Sequence, residues 1–195
     1  MECMKKIATL MAEGFEELEM ISVCDILRRA DVEVVLVGQN SKEVESAHGF
    51  KISADILFDD MDFDSCEGIY IPGGSKGAEN LKKDERVLDL VRKFDEEEKL
   101  IAAICAGPTV LMEAGILENT HVTSYPSFKD DFKGAIYFDN AVTIQSGSIM
   151  TSQGPATAPY FAFDILHYLG LSDEAEKIWD EMLFPILSDN ESDGE

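Results

Sequence analysis

Five consecutive apolar residues, Leu100–Ile104, run without interruption into Cys105-Ala106-Gly107-Pro108. A short strand that is apolar at every position must be covered on both faces, the situation of a strand inside a parallel sheet. Helical pattern resumes from Ala106 and stops near Gly115, so Cys105 stands at a strand-to-helix elbow. The rest of the chain repeats this grammar. Residues 6–11, 32–38 and 68–72 read as further strands, and Met20, Val23, Cys24 and Leu27 form a helical stripe. Residues 44–56 alternate around His48-Gly49 as a hairpin does, and Asp84 reads as the N-cap of a helix that buries Val87, Val91 and Phe94. Short strands recur over residues 134–152 with a turn at Gly147, and a helix follows Gly154-Pro155 and closes at Gly170. Ser172 is expected to cap a last helix with Ile178, Trp179, Met182 and Leu183 facing inward, its length limited by Pro185. The alternation predicts an α/β fold with a mostly parallel central sheet, helices on both faces and residues 100–104 in its middle. Residues 1–187 read as a single domain, and 188–195 (SDNESDGE) as a disordered acidic tail.

At 195 residues the chain can bury roughly 70% of its unfolded surface and needs no covalent staples. Its formal net charge is −23. Such a surface repels phosphate backbones and anionic lipid, so neither nucleic acid nor membrane is an expected partner. No apolar run approaches the length of a membrane span. The opening residues lack the pattern of a signal peptide, which predicts a cytoplasmic protein whose cysteines, at 3, 24, 66 and 105, are free thiols. With no C-x-x-C pair, and with His48, His121 and His167 scattered, neither a metal nor any other cofactor is expected.

Ligands of open α/β sheets bind beyond the carboxyl ends of the strands, where residues 12–19, 72–77 and 105–108 are expected to lie. Cys105 should meet the unpaired N–H groups and positive dipole of a helix start, which predicts a lowered pKa and makes it the first thiol to react. Cys24 reads as core, whereas Cys66 and Cys3 have no partner and could be exposed. Gly73-Gly74 could present backbone donors to an oxyanion together with the amide of Ala106. Glu16 and Glu19 share a helix face, and a carboxyl drawn in among Leu18 and Met20 would shift toward its neutral form.

The strings AEGFEELE (12–19), IPGGSKGAENL (71–81), AAICAGPTVL (102–111), VTSYPSFKDDF (122–132) and TSQGPATA (151–158) resemble, in order and spacing, the DJ-1/ThiJ/PfpI superfamily, and most of all its DJ-1/ThiJ branch. The resemblance implies a flavodoxin-like three-layer sandwich and a homodimer. It implies Cys105 as the reactive cysteine, Glu19 as a protonated partner of its sulfur, Gly74 and Ala106 as backbone oxyanion donors, and Gly73, Tyr125, Pro126 and His48 as pocket residues. It further implies a glutathione-independent glyoxalase or deglycase that takes small aldehydes such as methylglyoxal to lactate, or else an oxidation sensor or chaperone working through Cys105. Three departures matter. Tyr125 stands where the superfamily's best-known member has a histidine, and tyrosine cannot act as a general base near neutral pH. Ala106 replaces the histidine that follows the cysteine in protease-like members, which argues against a peptidase or amidohydrolase. His48 replaces an arginine, which weakens the expected anion binding.

Overall fold

The computed structural model describes residues 5–191. In chain order the elements are β1 (Lys6–Met11), α1 (Glu17–Arg29), β2 (Glu33–Gly38), β3 (Glu43–Glu45), β4 (Lys51–Ser53), β5 (Ile56–Leu57), β6 (Gly68–Ile71), α2 (Ser75–Lys82), α3 (Glu85–Glu96), β7 (Leu100–Ile104), α4 (Pro108–Ala114), β8 (His121–Val122), β9 (Ile136–Tyr137), β10 (Thr143–Ser146), β11 (Ile149–Ser152), α5 (Ala158–Tyr168), α6 (Ser172–Glu181) and α7 (Phe184–Glu191). Seven strands form the main sheet in the order β10-β11-β7-β6-β1-β2-β5. Every pairing in it is parallel except β10 against β11.

Alternation along the strands builds a layer on each face. Ile7 and Met11 of β1, Tyr70 of β6, and Leu100, Ala102 and Ile104 of β7 join α1, α5 and α6 in one apolar cluster. Ala8 and Leu10, Ile69 and Ile71, and Ile101 and Ala103 join α2, α3 and α4 in the other. All five residues of β7 are buried, as the uninterrupted apolar run requires. β7 is nevertheless third of the seven strands, and β6 occupies the centre. Asp84 caps α3 by accepting from the Arg86 N–H, and the hairpin β3–β4 turns at His48-Gly49.

Four details of the C-terminal region depart from the sequence pattern. Leu171, not Ser172, occupies the cap position of α6, and Ser172 Oγ instead lies 3.1 Å from His167 Nδ1. Leu183 is exposed, since the chain leaves the helix there with a positive φ of 66°. Pro185 sits in the first turn of a further helix, α7, where a missing N–H costs nothing. That helix runs to Glu191, so residues 188–191 of the expected tail are helical, and residues 192–195 lie outside the described residues.

The chain passes outward from β1 in both directions, with β2 on one side and β6 and β7 on the other. The loops leaving β1 and β6 therefore diverge over the crevice of a topological switch point, and β7 ends beside them. Phe161 of α5 fills the layer beneath that crevice: it is fully buried, its ring centroid 6.3 Å from that of Tyr70. Replacement by alanine is expected to destabilise the fold by about 3–5 kcal/mol, read as a lowered urea midpoint with an unchanged slope.

Candidate active site

Three loops meet at the carboxyl ends of β1, β6 and β7. After β1, Glu16 takes the N-cap position of α1, its Oε2 accepting from the Glu19 N–H at 2.7 Å. The expected i, i+3 relation is thus a capping contact, which fixes the first turn of α1 and turns Glu19 inward. Glu16 also donates its own N–H to the Gly73 carbonyl at 2.9 Å, joining the first loop to the second. After β6, the chain passes so close to its neighbours that a side chain has no room. A Cβ on Gly73 would fall 2.3 Å from Glu19 Oε2 and 2.6 Å from Cys105 Cβ. Gly74 has a φ of +90°, and a Cβ there would meet the Gly14 carbonyl oxygen at 2.3 Å. Glycine at both positions lets this backbone lie directly over the carboxyl and the sulfur.

After β7, Cys105 adopts a φ of 62°, a left-handed conformation that costs a non-glycine residue about 1–3 kcal/mol. Pairing on both sides holds it there. Its N–H donates to the Ser152 carbonyl at the end of β11, and its carbonyl accepts from the Tyr125 N–H, each at 3.0 Å. Gly107 N–H returns to the Ile104 carbonyl at 2.8 Å and tightens the elbow before α4 begins. Cys105 is partly exposed, whereas Cys24 and Cys66 are both buried. Cys66 is thus not the accessible thiol its sequence position allows. Cys24, beside Thr9 Oγ1 at 3.3 Å, has its pKa pushed up to about 12 by burial. Cys3 lies outside the described residues.

Glu19 is fully buried beside this sulfur. Its Oε2 accepts from the Gly73 N–H at 2.8 Å, its backbone carbonyl accepts from the Tyr70 hydroxyl at 3.0 Å, and its Oε1 is buried without a well-formed hydrogen bond. Burial raises the carboxyl pKa from the ordinary range to about 7, and the negative charge of Glu16 adds to the rise. Interaction with the Cys105 thiol and the Gly73 N–H opposes it. The thiol is itself pushed up from its ordinary value, first by burial and then by the charge of Glu19 and the hydrogen bond to it. The backbone N–H groups of Gly74 and Ala106 draw it down by less. The lowered pKa expected of a cysteine at a helix start is therefore overturned: desolvation and a like charge outweigh two N–H dipoles. The pair is a buried acid that ionises near neutrality beside a thiol of raised pKa, rather than a free-standing thiolate.

The remaining pocket residues are less intimate. Tyr125 is bound to the elbow through its backbone, while its ring is exposed and lies near Gly154. Pro126 is exposed and opens the 3-10 turn that follows. His48 lies across the loop from Cys105's carboxyl partner, with Nδ1 2.8 Å from Glu17 Oε1. Ala106, at the position after the cysteine, is fully buried. Sequence reasoning missed Tyr70 and Ser152. Tyr70 reaches from β6 to the Glu19 carbonyl in α1, and the Ser152 carbonyl at the end of β11 accepts from the Cys105 N–H; strand alternation alone marks neither contact.

A sheet of this order with a strained cysteine at a strand-to-helix elbow, roofed by glycine backbone and backed by a buried carboxyl, defines a flavodoxin-like protein of the cysteine-elbow class. Residues 5–168 match the DJ-1/PfpI family, and the chain belongs to it. It is 34% identical over 176 residues to the protein dj-1beta of Drosophila melanogaster, covering 89% of this chain and 94% of that one. The crystal structure of Drosophila melanogaster DJ-1beta superimposes with a TM-score of 0.89 at 33% identity, over 92% of this chain and 98% of its own. A deglycase of Thermococcus kodakarensis is 31% identical over 152 residues, 77% of this chain and 90% of that protein.

The raised pKa of Glu19 has a consequence for stability. An acid whose folded pKa lies above its unfolded value favours folding fully below the unfolded pKa, and that contribution is lost as pH rises through the folded pKa. For Glu19 the window runs from the ordinary glutamate range up to about 7. Glutamine at this position carries no such dependence. The urea midpoint of Glu19→Gln relative to the wild type should therefore rise between pH 5 and pH 8, by the equivalent of up to about 3 kcal/mol.

Proposed function

We propose that this protein is a cysteine-dependent enzyme of small reactive carbonyls, of the glutathione-independent glyoxalase or deglycase type, with methylglyoxal as the representative substrate. The observation that carries this reading is the fully buried Glu19 carboxyl, with a pKa of about 7, against a partly exposed thiol. A relative that is a deglycase supports the same chemistry.

Above pH 7 the Glu19 carboxylate takes the thiol proton as sulfur adds to the aldehyde carbon, forming the C–S bond while the carbonyl electron pair moves onto oxygen. The N–H groups of Gly74 and Ala106, which face the sulfur, stabilise that oxygen. Glu19 returns its proton to the oxygen, giving a hemithioacetal. It then removes the hydrogen on the former aldehyde carbon as a proton, the hydroxyl proton on that carbon passes to the neighbouring carbonyl oxygen, and a proton is delivered to the neighbouring carbon. The first carbon is oxidised and the second reduced, with no external oxidant, and water cleaves the resulting lactoyl thioester to lactate and thiol. Tyr125, exposed and joined to the elbow through its backbone, positions substrate rather than moving protons. With alanine in place of a histidine directly after Cys105, peptide hydrolysis lacks the imidazole that would activate the thiol and then protonate the leaving amine.

A second reading is favoured by one observation, the unpaired Glu19 Oε1. Two equivalents of peroxide would convert the thiol to a sulfinate, releasing two waters, and the protonated carboxyl would donate to a sulfinate oxygen. Cys105 then serves as an oxidation sensor, with a chaperone or partner response downstream.

The assembly that fits either reading is a homodimer. Leu18 and Ile21 on the outer face of α1, and Phe50 beside the hairpin turn, are large apolar side chains left in solvent. Light scattering should give twice the 21.6 kDa chain mass, and the dimer should tighten with salt because like charges of −23 repel.

Lactate formation from methylglyoxal by the pure protein tests the enzyme. Cys105→Ser should abolish it, Glu19→Gln should lower turnover by about 10²-fold or more, and Tyr125→Phe should change it less. The wild-type rate should rise with pH through about 7, a limb that Glu19→Gln lacks. Absence of turnover, together with a two-oxygen mass gain confined to the Cys105 peptide after brief peroxide treatment, would select the sensor instead.

A further inference from the structure

The hairpin β3–β4 brings His48 to the start of α1, 31 residues from Glu17 in sequence. Two backbone hydrogen bonds fix it there: Gly14 N–H to the Glu45 carbonyl at 2.8 Å, and Ala47 N–H to the Phe15 carbonyl at 2.7 Å. His48 Nδ1 then lies 2.8 Å from Glu17 Oε1 and 3.9 Å from Glu16 Oε1. One ligand atom from each of the three residues falls within 4.8 Å of the others. Glu17 is only 8% exposed, and its Oε2 is buried with no hydrogen-bond partner. Among the described residues, neither carboxylate forms an ion pair with a lysine or arginine. His48 contacts Glu17 Oε1, and Glu17 Oε2 is left without a partner in a chain that already carries −23.

We propose that Glu16, Glu17 and His48 form a binding site for a first-row divalent transition-metal ion, of which zinc is the representative. The donor set selects the class. Imidazole nitrogen suits zinc, copper, iron and nickel, whereas calcium and magnesium take oxygen-only shells with more ligands. Metal–ligand distances of roughly 2.0–2.2 Å place tetrahedral ligands about 3.3–3.5 Å apart. The 2.8 Å contact of His48 with Glu17 must open slightly, and the 3.9 Å contact with Glu16 must close. The His48 side chain is 69% exposed, so its ring makes that adjustment at little cost. Glu16 keeps Oε2 on its capping bond to Glu19 and offers Oε1. Three protein ligands leave a fourth position open to water or a small anion. Because Glu16 also bonds Gly73, the residue packed on Cys105, the ion would sit beside the wall of the thiol pocket.

The site is tested on the full chain by zinc titration against a chromophoric chelator and by the absorption spectrum of the cobalt form. One zinc per chain is expected, with affinity reduced at least about tenfold by His48→Ala and by Glu17→Gln. Affinity should be unchanged by Cys105→Ser, and the cobalt spectrum should lack a thiolate charge-transfer band. His48→Ala alters an exposed side chain, and unchanged thermal unfolding of the metal-free variant serves as its folding control. Absence of zinc binding at micromolar concentrations, equal binding by the wild type and His48→Ala, or a thiolate band lost in Cys105→Ser would each overturn the site.

Discussion

The parallel pairing of β6 between β1 and β7 is the constraint on which the rest of the site depends. Ile7, Ala8 and Thr9 pair with residues 68–70, and residues 68–71 pair with residues 100–103. Parallel strands in this register deliver their carboxyl ends to one edge of the sheet. The loops that leave them must then pack on one another, since each begins within a strand spacing of the next. Gly73 and Gly74 resolve that crowding. Their backbone fills the gap between the start of α1 and the elbow after β7, so Glu19 and Cys105, far apart in sequence, share one small volume. Nothing in either loop alone would hold the two side chains together.

Electrostatics within that volume follows from burial more than from secondary structure. A helix start is usually argued to acidify a cysteine, yet the thiol here is pushed up, first by partial exclusion of water and then by the charge of Glu19. The same exclusion carries Glu19 to about 7. The Glu19 carboxylate holds the thiol proton on sulfur, while the thiol in turn favours the ionised carboxylate, so the two groups titrate as a coupled pair. The strained φ of Cys105 belongs to the same design. Bonds to Ser152 and Tyr125 hold the elbow at an unfavourable dihedral, which keeps the sulfur at the surface of the pocket instead of in the core.

Acidic residues serve two different purposes around the site. Glu16 and Glu19 belong to the first turn of α1, where negative charge is favoured by the helix dipole and by capping. Glu17 lies in the same turn, but is buried against the hairpin, and burial alone would push its pKa up. Hydrogen bonds from its own N–H and from Ser46, with the nearby His48, more than compensate, and it ends below the ordinary range. A turn that carries three carboxylates for local reasons thus also assembles, with one histidine from the hairpin, a cluster suited to a cation.

The local sequence determined the elements that rest on periodicity and composition. The apolar run of Leu100–Ile104, the stripe of Met20, Val23, Cys24 and Leu27, the Asp84 cap and the turn at His48-Gly49 each carry their own signal over a few residues, and each is found where that signal puts it. The elbow at Cys105 was legible for the same reason, whereas the crowding that requires glycine at 73 and 74 was not. The inward turn of Glu19 was legible only in part, from its apolar neighbours and the resemblance of its motif. The C-terminal helices were read less well, because Leu171, Leu183 and Pro185 depend on how α6 and α7 dock rather than on their own pattern. Tertiary structure alone decided the rest: the direction of the Cys105 shift, the supporting bonds from Tyr70 and Ser152, the burial of Cys66, and the meeting of His48 with Glu16 and Glu17. These are properties of distance and solvent exclusion between segments far apart in the chain, and a periodic pattern within one segment carries no information about which other segment closes over it.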